Sequence, residues 1–264
     1  MILSALHIYP IKSTAGLDRN FMDVQARGLE NDRRWMIVDA NCRFLTGRDL
    51  SRLVLIRAEP DASGLRLTAP GMPDLSVATP AQAAPRLVVT VWNDVVDSAC
   101  AESTANSWLS EFLQQPVRLV MMDERSLRAV PLQPPTAPAT VSFADGYPLL
   151  AISQSAVDGL NEKLPAPISM NRFRPNLVIG DCAPHAEDSW RRVRIGEVEF
   201  EAVKTCVRCV FTTVDPVLGT RDPTGEPLRT LKNYRRSERG ITFGMNLIAR
   251  DSGRIHVGDT VVAC

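Results

Sequence analysis

At 264 residues, with 45% hydrophobic and 23% charged residues, the chain has the composition of a globular protein, long enough for one large domain or two smaller ones. Lys+Arg 30 against Asp+Glu 30 leaves a formal net charge of +0, which offers no general attraction to nucleic acid or to an anionic membrane. No apolar run reaches the roughly 18 residues of a membrane span, and "MILSALHIYPIKS" lacks a signal peptide's basic start and small-residue cleavage site, so a cytoplasmic protein is expected.

In chain order, "LHIYPIK" reads as the first strand, and "YPIKSTAG" follows it as a turn. There Lys12, Ser13 and the backbone before Gly16 put an ammonium, a hydroxyl and amides within reach of one anion. The glycine spacing of a P-loop is absent, and an ordinary exposed turn is the competing reading. From Arg19 to Arg57, eight Arg face five acids, a local charge of +3 in an otherwise neutral chain. "NDRRWMIVD" sets Arg33 and Arg34 on opposite faces of a strand start, so only one of them need point inward, and "LTGRDLSRL" adds Arg48 after a turn.

"RLVLIRAE", "LRLTA", "RLVVTVW" and "VRLVMM" read as further strands, with 69–85 as a Pro/Ala-rich loop between hairpin strands. A helix is predicted over 102–115, where Trp108, Leu109, Phe112 and Leu113 form one stripe before Pro116. The four prolines of 130–138 mark a linker. "LLAIS" is a strand leading to a second helix near Ser155, where Ser155-x-x-Asp158 resembles a capping box and Val157, Leu160 and Leu164 form the inner face. "NRFRPNLVIG" packs Arg172, Arg174 and Asn176 on one side of a strand start, as a ligand cradle or a sheet-rim network. "AEDSWRRVRIG" offers a turn at Asp188 and a packed Trp190, while "RIGEVEF" and "HVGDTVV" are tight turns feeding strands. The fold class is mainly β with a few helices (α+β).

"KTCVRCVFTTVDP" poses the sharpest chemical question. Zinc needs four ligands, but Cys182, Cys264 and the three histidines lie scattered. A redox CxxC normally opens a helix, whereas "VFTTV" reads as strand. Two half-buried thiols, or one cysteine acting as a reactive thiolate or soft-metal ligand beside Lys204 and Arg208, remain as readings. Six cysteines in a chain this long do not form a disulfide framework.

Taken together, "YPIKS", "DRRWMIVD", "RFRPNLVI", "EDSW" and "CVRCVFTTVDPxxG…EPLRTLKxYR" resemble the MOSC proteins that carry a MOSC N-terminal β-barrel domain, the group of the mitochondrial amidoxime-reducing component and its bacterial relatives. The resemblance runs from about Ile8 to the C-terminus. It implies an N-terminal β-barrel-like domain (1–122) and a C-terminal MOSC β-barrel (123–264, with 123–145 a linker-like start), and a molybdenum cofactor (Mo-molybdopterin) in the cleft between them. By motif matching, Cys209 and not Cys206 is the metal-binding thiolate; Lys12, Ser13, Arg33, Arg174 and Asn176 contact the pterin and phosphate, with Arg48 and Ser153 as further contacts. Asp145 in "FADGYPLL" is a candidate catalytic group beside Cys209, and Thr212, Thr213 and Asp215 shape the pocket.

The implied reaction is reduction of a small N-hydroxylated compound, with a molybdenum-cofactor carrier or sulfur-transfer protein as the alternative. Some bacterial relatives append an iron–sulfur ferredoxin domain and eukaryotic relatives a membrane anchor. Here the expectation is a separate electron-donor protein, of the ferredoxin or flavin-reductase type, with no nucleic-acid or membrane partner.

Overall fold

The first strand, Ile2–Ile8, buries Leu3, Leu6 and Ile8 rather than every second residue. The cause is a bulge between Leu3 and Ala5, where the strand slips against its antiparallel partner Leu177–Gly180 and the inward phase moves by one residue. The molecule is a computed structural model, which describes residues 1–131 and 138–263; most of the proline-rich linker and Cys264 lie outside the described residues. As expected, the fold is mainly β with a few helices (α+β).

The larger sheet runs in the order Val261–Ala263, Arg192–Ile195, Val198–Val207, Gly240–Ala249, Leu149–Ser153, Leu177–Gly180, Ile2–Ile8 and Leu17–Arg19. It closes on itself. Ile2 bridges Thr260, Leu3 N–H donates to Asp259 O at 2.9 Å, and Gly258 N–H donates to Leu3 O at 2.8 Å. Closure removes the sheet edges and encloses Leu3, Leu6, Leu149, Leu177, Ile179, Val193, Phe200 and Leu247 in one core. The strand Phe21–Gln25 also crosses over, pairing with Gly253–His256. Ile2–Ile8 and Phe21–Gln25 thus pair with strands from the C-terminal half of the chain.

What remains of the N-terminal half is a four-stranded sheet and a three-stranded meander. The sheet runs Trp35–Val38, Arg118–Met121, Asp94–Cys100, Arg86–Val91, and the meander runs Arg57–Asp61, Gly64–Thr68, Leu75–Ala78. The helix Ser103–Leu113 seals this unit, with Trp108, Leu109, Phe112 and Leu113 packed in a core that includes Leu65, Leu67 and Val77.

Several sequence expectations differ from the structure. The first part of "RLVLIRAE" is a 3₁₀ turn, Ser51–Leu55, because a short apolar run does not distinguish strand from buried helical turn. The 69–85 stretch contains the strand Leu75–Ala78, whose Leu75 and Val77 pack inward. No capping box forms at the second helix, Gln154–Asn161: Ser153 is its N-cap residue, and the Ser155 hydroxyl donates to Cys182 O at 2.8 Å. Among the described residues no helix is long and apolar enough to cross a membrane.

Candidate functional site

A pocket of about 130 Å³ opens where the two units meet. Six cations line it (Lys12, Arg33, Arg48, Arg172, Arg174, Arg208) against one carboxylate, Asp145; Cys206 and Cys209 share the same wall. The lining is anion-attracting.

Each cation arrives by irregular backbone rather than by strand alternation. The strand after Arg33 begins only at Trp35, and Arg33 itself has φ +50; Ser13 has φ +68 and Arg174 φ +56. Such left-handed conformations in non-glycine residues are costly and cluster at functional sites. Arg34 turns away to donate to Met122 O at 3.0 and 2.7 Å, so one arginine of the pair does point inward. Arg172, Arg174 and Asn176 do share the pocket. The route is a 3₁₀ turn, Met170–Arg172, and a left-handed residue, with the strand starting at Leu177. Gly47 lets the 46–48 loop close over Phe211, since a Cβ there would lie 2.1 Å from the ring, and this delivers Arg48 to the wall.

The charges are sorted by their partners. Arg33 Nη1 donates to Asp32 at 2.6 Å and to Asn176 Oδ1 at 3.0 Å. Burial pulls the Arg33 guanidinium down, but Asp32 beside it more than compensates, and the net movement is up. Asn176 also accepts from Leu150 N–H and donates to His7 O, so its amide braces the site from behind. Arg172 pairs with Asp215 at 3.0 Å. Lys12 Nζ donates to Phe143 O at 2.8 Å and forms an ion pair with Asp145. Burial draws the Lys12 ammonium below the ordinary lysine value, against the pull of Asp145. The surrounding protein alone would raise the Asp145 carboxyl, which is still exposed at the pocket mouth, but Lys12, then Arg48 and the Trp92 indole, hold it well below the usual carboxylate range.

Among the described residues Arg174 has no carboxylate partner. Its Nη1 donates to Thr14 O at 2.6 Å, while its Nη2 is buried without a partner. The guanidinium lies 4.1 Å over the Tyr9 ring, whose other cation is Arg33 at 4.4 Å. Burial pulls Arg174 down to about 10, and it pushes the Tyr9 hydroxyl up to about 12. An orphaned guanidinium nitrogen in the wall of a cationic pocket fits an anionic group such as a cofactor phosphate.

The thiols are unalike. Cys206 is the penultimate residue of the strand Val198–Val207 and lies 3.0 Å from Arg208 Nη1; Cys209 has extended backbone, with Arg48 Nη1 3.9 Å from its sulfur. "VFTT" after it is a 3₁₀ turn and not the expected strand. The Thr212 and Thr213 hydroxyls donate back to Cys209 O (3.0 Å) and Val210 O (2.7 Å), occupying carbonyls that a sheet ladder would use. Among the described residues no group of three His, Cys, Asp or Glu side chains is arranged for a metal ion, which leaves the CxxC without the further ligands zinc requires.

Of the residues singled out from sequence, Lys12, Ser13, Arg33, Arg48, Asp145, Arg174, Asn176 and Cys209 line the pocket. Ser153 does not: it is fully buried, and its Oγ accepts from His185 N–H at 3.0 Å on the far side of its strand. Sequence reasoning passed over Tyr9, Trp92 and Phe211, the aromatic partners of the pocket arginines, because lone aromatics are ordinary core residues by pattern alone.

A model of the MOSC N-terminal beta barrel domain matches residues 1–116, and one of the MOSC domain matches residues 138–262. Mitochondrial amidoxime-reducing component 1 of Mus musculus is 37% identical over 98% of this chain and 81% of its own length. The Homo sapiens counterpart is 35% identical over 98% and 82%, and that of Danio rerio 32% over 98% and 84%. The chain belongs to the family of MOSC proteins to which these amidoxime-reducing components belong.

Proposed function

We propose that this chain is a molybdenum-cofactor-dependent oxidoreductase that reduces small N-hydroxylated compounds, amidoximes among them. The observation that carries the reading is the convergence in one cavity of a pocket-facing thiol, Cys209, with a cationic wall on which Arg48, Arg174 and Arg208 have no carboxylate partner among the described residues. When bound, the cofactor supplies a two-electron metal centre able to accept oxygen from an N–O bond.

The chain's own residues do the rest. Cys209 offers a soft donor, and thiolate ligation suits a soft metal site. Arg174, in the pocket lining with its buried Nη2 unpartnered among the described residues, is the phosphate contact in this reading, and Lys12, Ser13 and Arg33, braced by Asn176, line the same pocket. Arg48 puts positive charge beside the thiol. Asp145, kept ionised by Lys12, offers a carboxylate that accepts a hydrogen bond from water or substrate at the pocket mouth. Electrons come from a separate donor protein. Names of the relatives favour reduction over carriage.

Protein purified from a molybdenum-replete host is assayed for metal and for amidoxime reduction with an artificial electron donor. The reading predicts bound molybdenum and turnover to the amidine. Molybdenum without turnover of any N-hydroxylated compound would instead support a carrier or sulfur-transfer protein.

A further inference from the structure

Trp92 occupies the first position of the two-residue turn between the strands Arg86–Val91 and Asp94–Cys100, at φ +56. Hairpin turns take Asn, Asp or Gly at such positions, and a bulky aromatic there is uncommon. Its side chain explains what the backbone tolerates. The indole N–H donates to Asp145 Oδ1 at 3.3 Å, the ring face lies 4.2 Å from the Arg48 guanidinium, and Phe44 tilts against it at 5.1 Å. Arg48 is near enough to act on the Asp145 charge, yet no ion pair joins them among the described residues; Asp145 pairs with Lys12. The other end of Arg48 is the Nη1 that lies 3.9 Å from Cys209 Sγ.

We propose that Trp92 is a positioning residue that separates Arg48 from Asp145 and so keeps the guanidinium at the Cys209 thiol. Without the indole, Arg48 swings onto the Asp145 carboxylate, sharing it with Lys12, and the thiol loses its cation. The inference rests on the reading of Cys209 as the working thiol, but its test needs neither cofactor nor turnover.

Full-length protein from a host unable to make molybdopterin is alkylated in parallel with iodoacetate and iodoacetamide. In both, the thiolate forms a C–S bond and iodide leaves, so the ratio of the two rates at Cys209 reports local positive charge. Trypsin cleavage after Lys204, Arg208 and Arg221 puts Cys206 and Cys209 on different peptides for mass spectrometry. A unit charge about 4 Å away, screened as in water, favours the anionic reagent by about fivefold. R48Q is predicted to lower the ratio by that factor, and W92N to lower it equally. The double variant should fall no further, whereas independent effects multiply. W92F, which retains a ring under Arg48, should keep most of the wild-type ratio. Asn suits the left-handed turn, so W92N is expected to fold; W92G repeats the test if it does not. A folded W92N with the wild-type ratio overturns the proposal, as does an R48Q protein with an unchanged ratio or a W92F protein as impaired as W92N.

Discussion

Replacing Arg174 by methionine separates stability from cofactor retention. The guanidinium has a hydrogen bond to Thr14 O at 2.6 Å and a face on Tyr9 at 4.1 Å, but no carboxylate and one orphaned nitrogen. Its fall from the ordinary 12.5 to about 10 corresponds to roughly 3 kcal/mol of disfavour for the buried charge. Against this relief stand the lost charged hydrogen bond, about 1.5–3 kcal/mol, and the lost cation–π contact, about 0.5–2 kcal/mol. The two sides nearly cancel, so cofactor-free R174M should unfold in urea within about 2 kcal/mol of wild type. Loading with cofactor should raise the melting temperature of wild type and not of R174M, and molybdenum should be lost from the variant on desalting. The reasoning is refuted if R174M retains molybdenum as wild type does while its cofactor-free form is grossly destabilised, since Arg174 would then be a structural brace.

Lys12→Met removes the main cation that depresses Asp145, so the carboxyl rises toward its ordinary range. The acid limb of kcat/KM for amidoxime reduction should therefore move to higher pH in K12M, and an unshifted limb would remove the ionised Asp145 from the pH dependence of turnover. Ser153→Ala deletes the acceptor of the His185 N–H, costing about 1–2 kcal/mol in urea unfolding, with kcat/KM unchanged because the hydroxyl lies outside the pocket.

The legible and illegible parts of this chain differ by their range along the sequence. Period-two runs such as "RLVVTVW" and the stripe of Trp108, Leu109, Phe112 and Leu113 announce their own local structure, and the helix and strands lie where those patterns put them. The concentration of Arg between residues 19 and 57 was likewise visible as charge, though not its route into the pocket. Barrel closure was hidden, because Ile2–Ile8 is a plain strand by sequence and only its partners, some 170 residues away, assign it to the C-terminal sheet. The 3₁₀ turn after Cys209 was hidden by its β-branched composition, which threonine hydroxyls overrode by bonding backwards to the chain. Trp92, Tyr9 and Phe211 gave no signal, since an aromatic that carries an arginine looks in sequence like one that fills a core.

The central claim, that Cys209 and not Cys206 is the pocket's metal-binding thiol, is tested most directly by X-ray absorption at the molybdenum edge of the loaded protein and of its C209S and C206S variants. The account predicts one molybdenum–sulfur contact fewer in C209S than in wild type and an unchanged sulfur shell in C206S. An unchanged shell in C209S, or the loss of that contact in C206S instead, would contradict it.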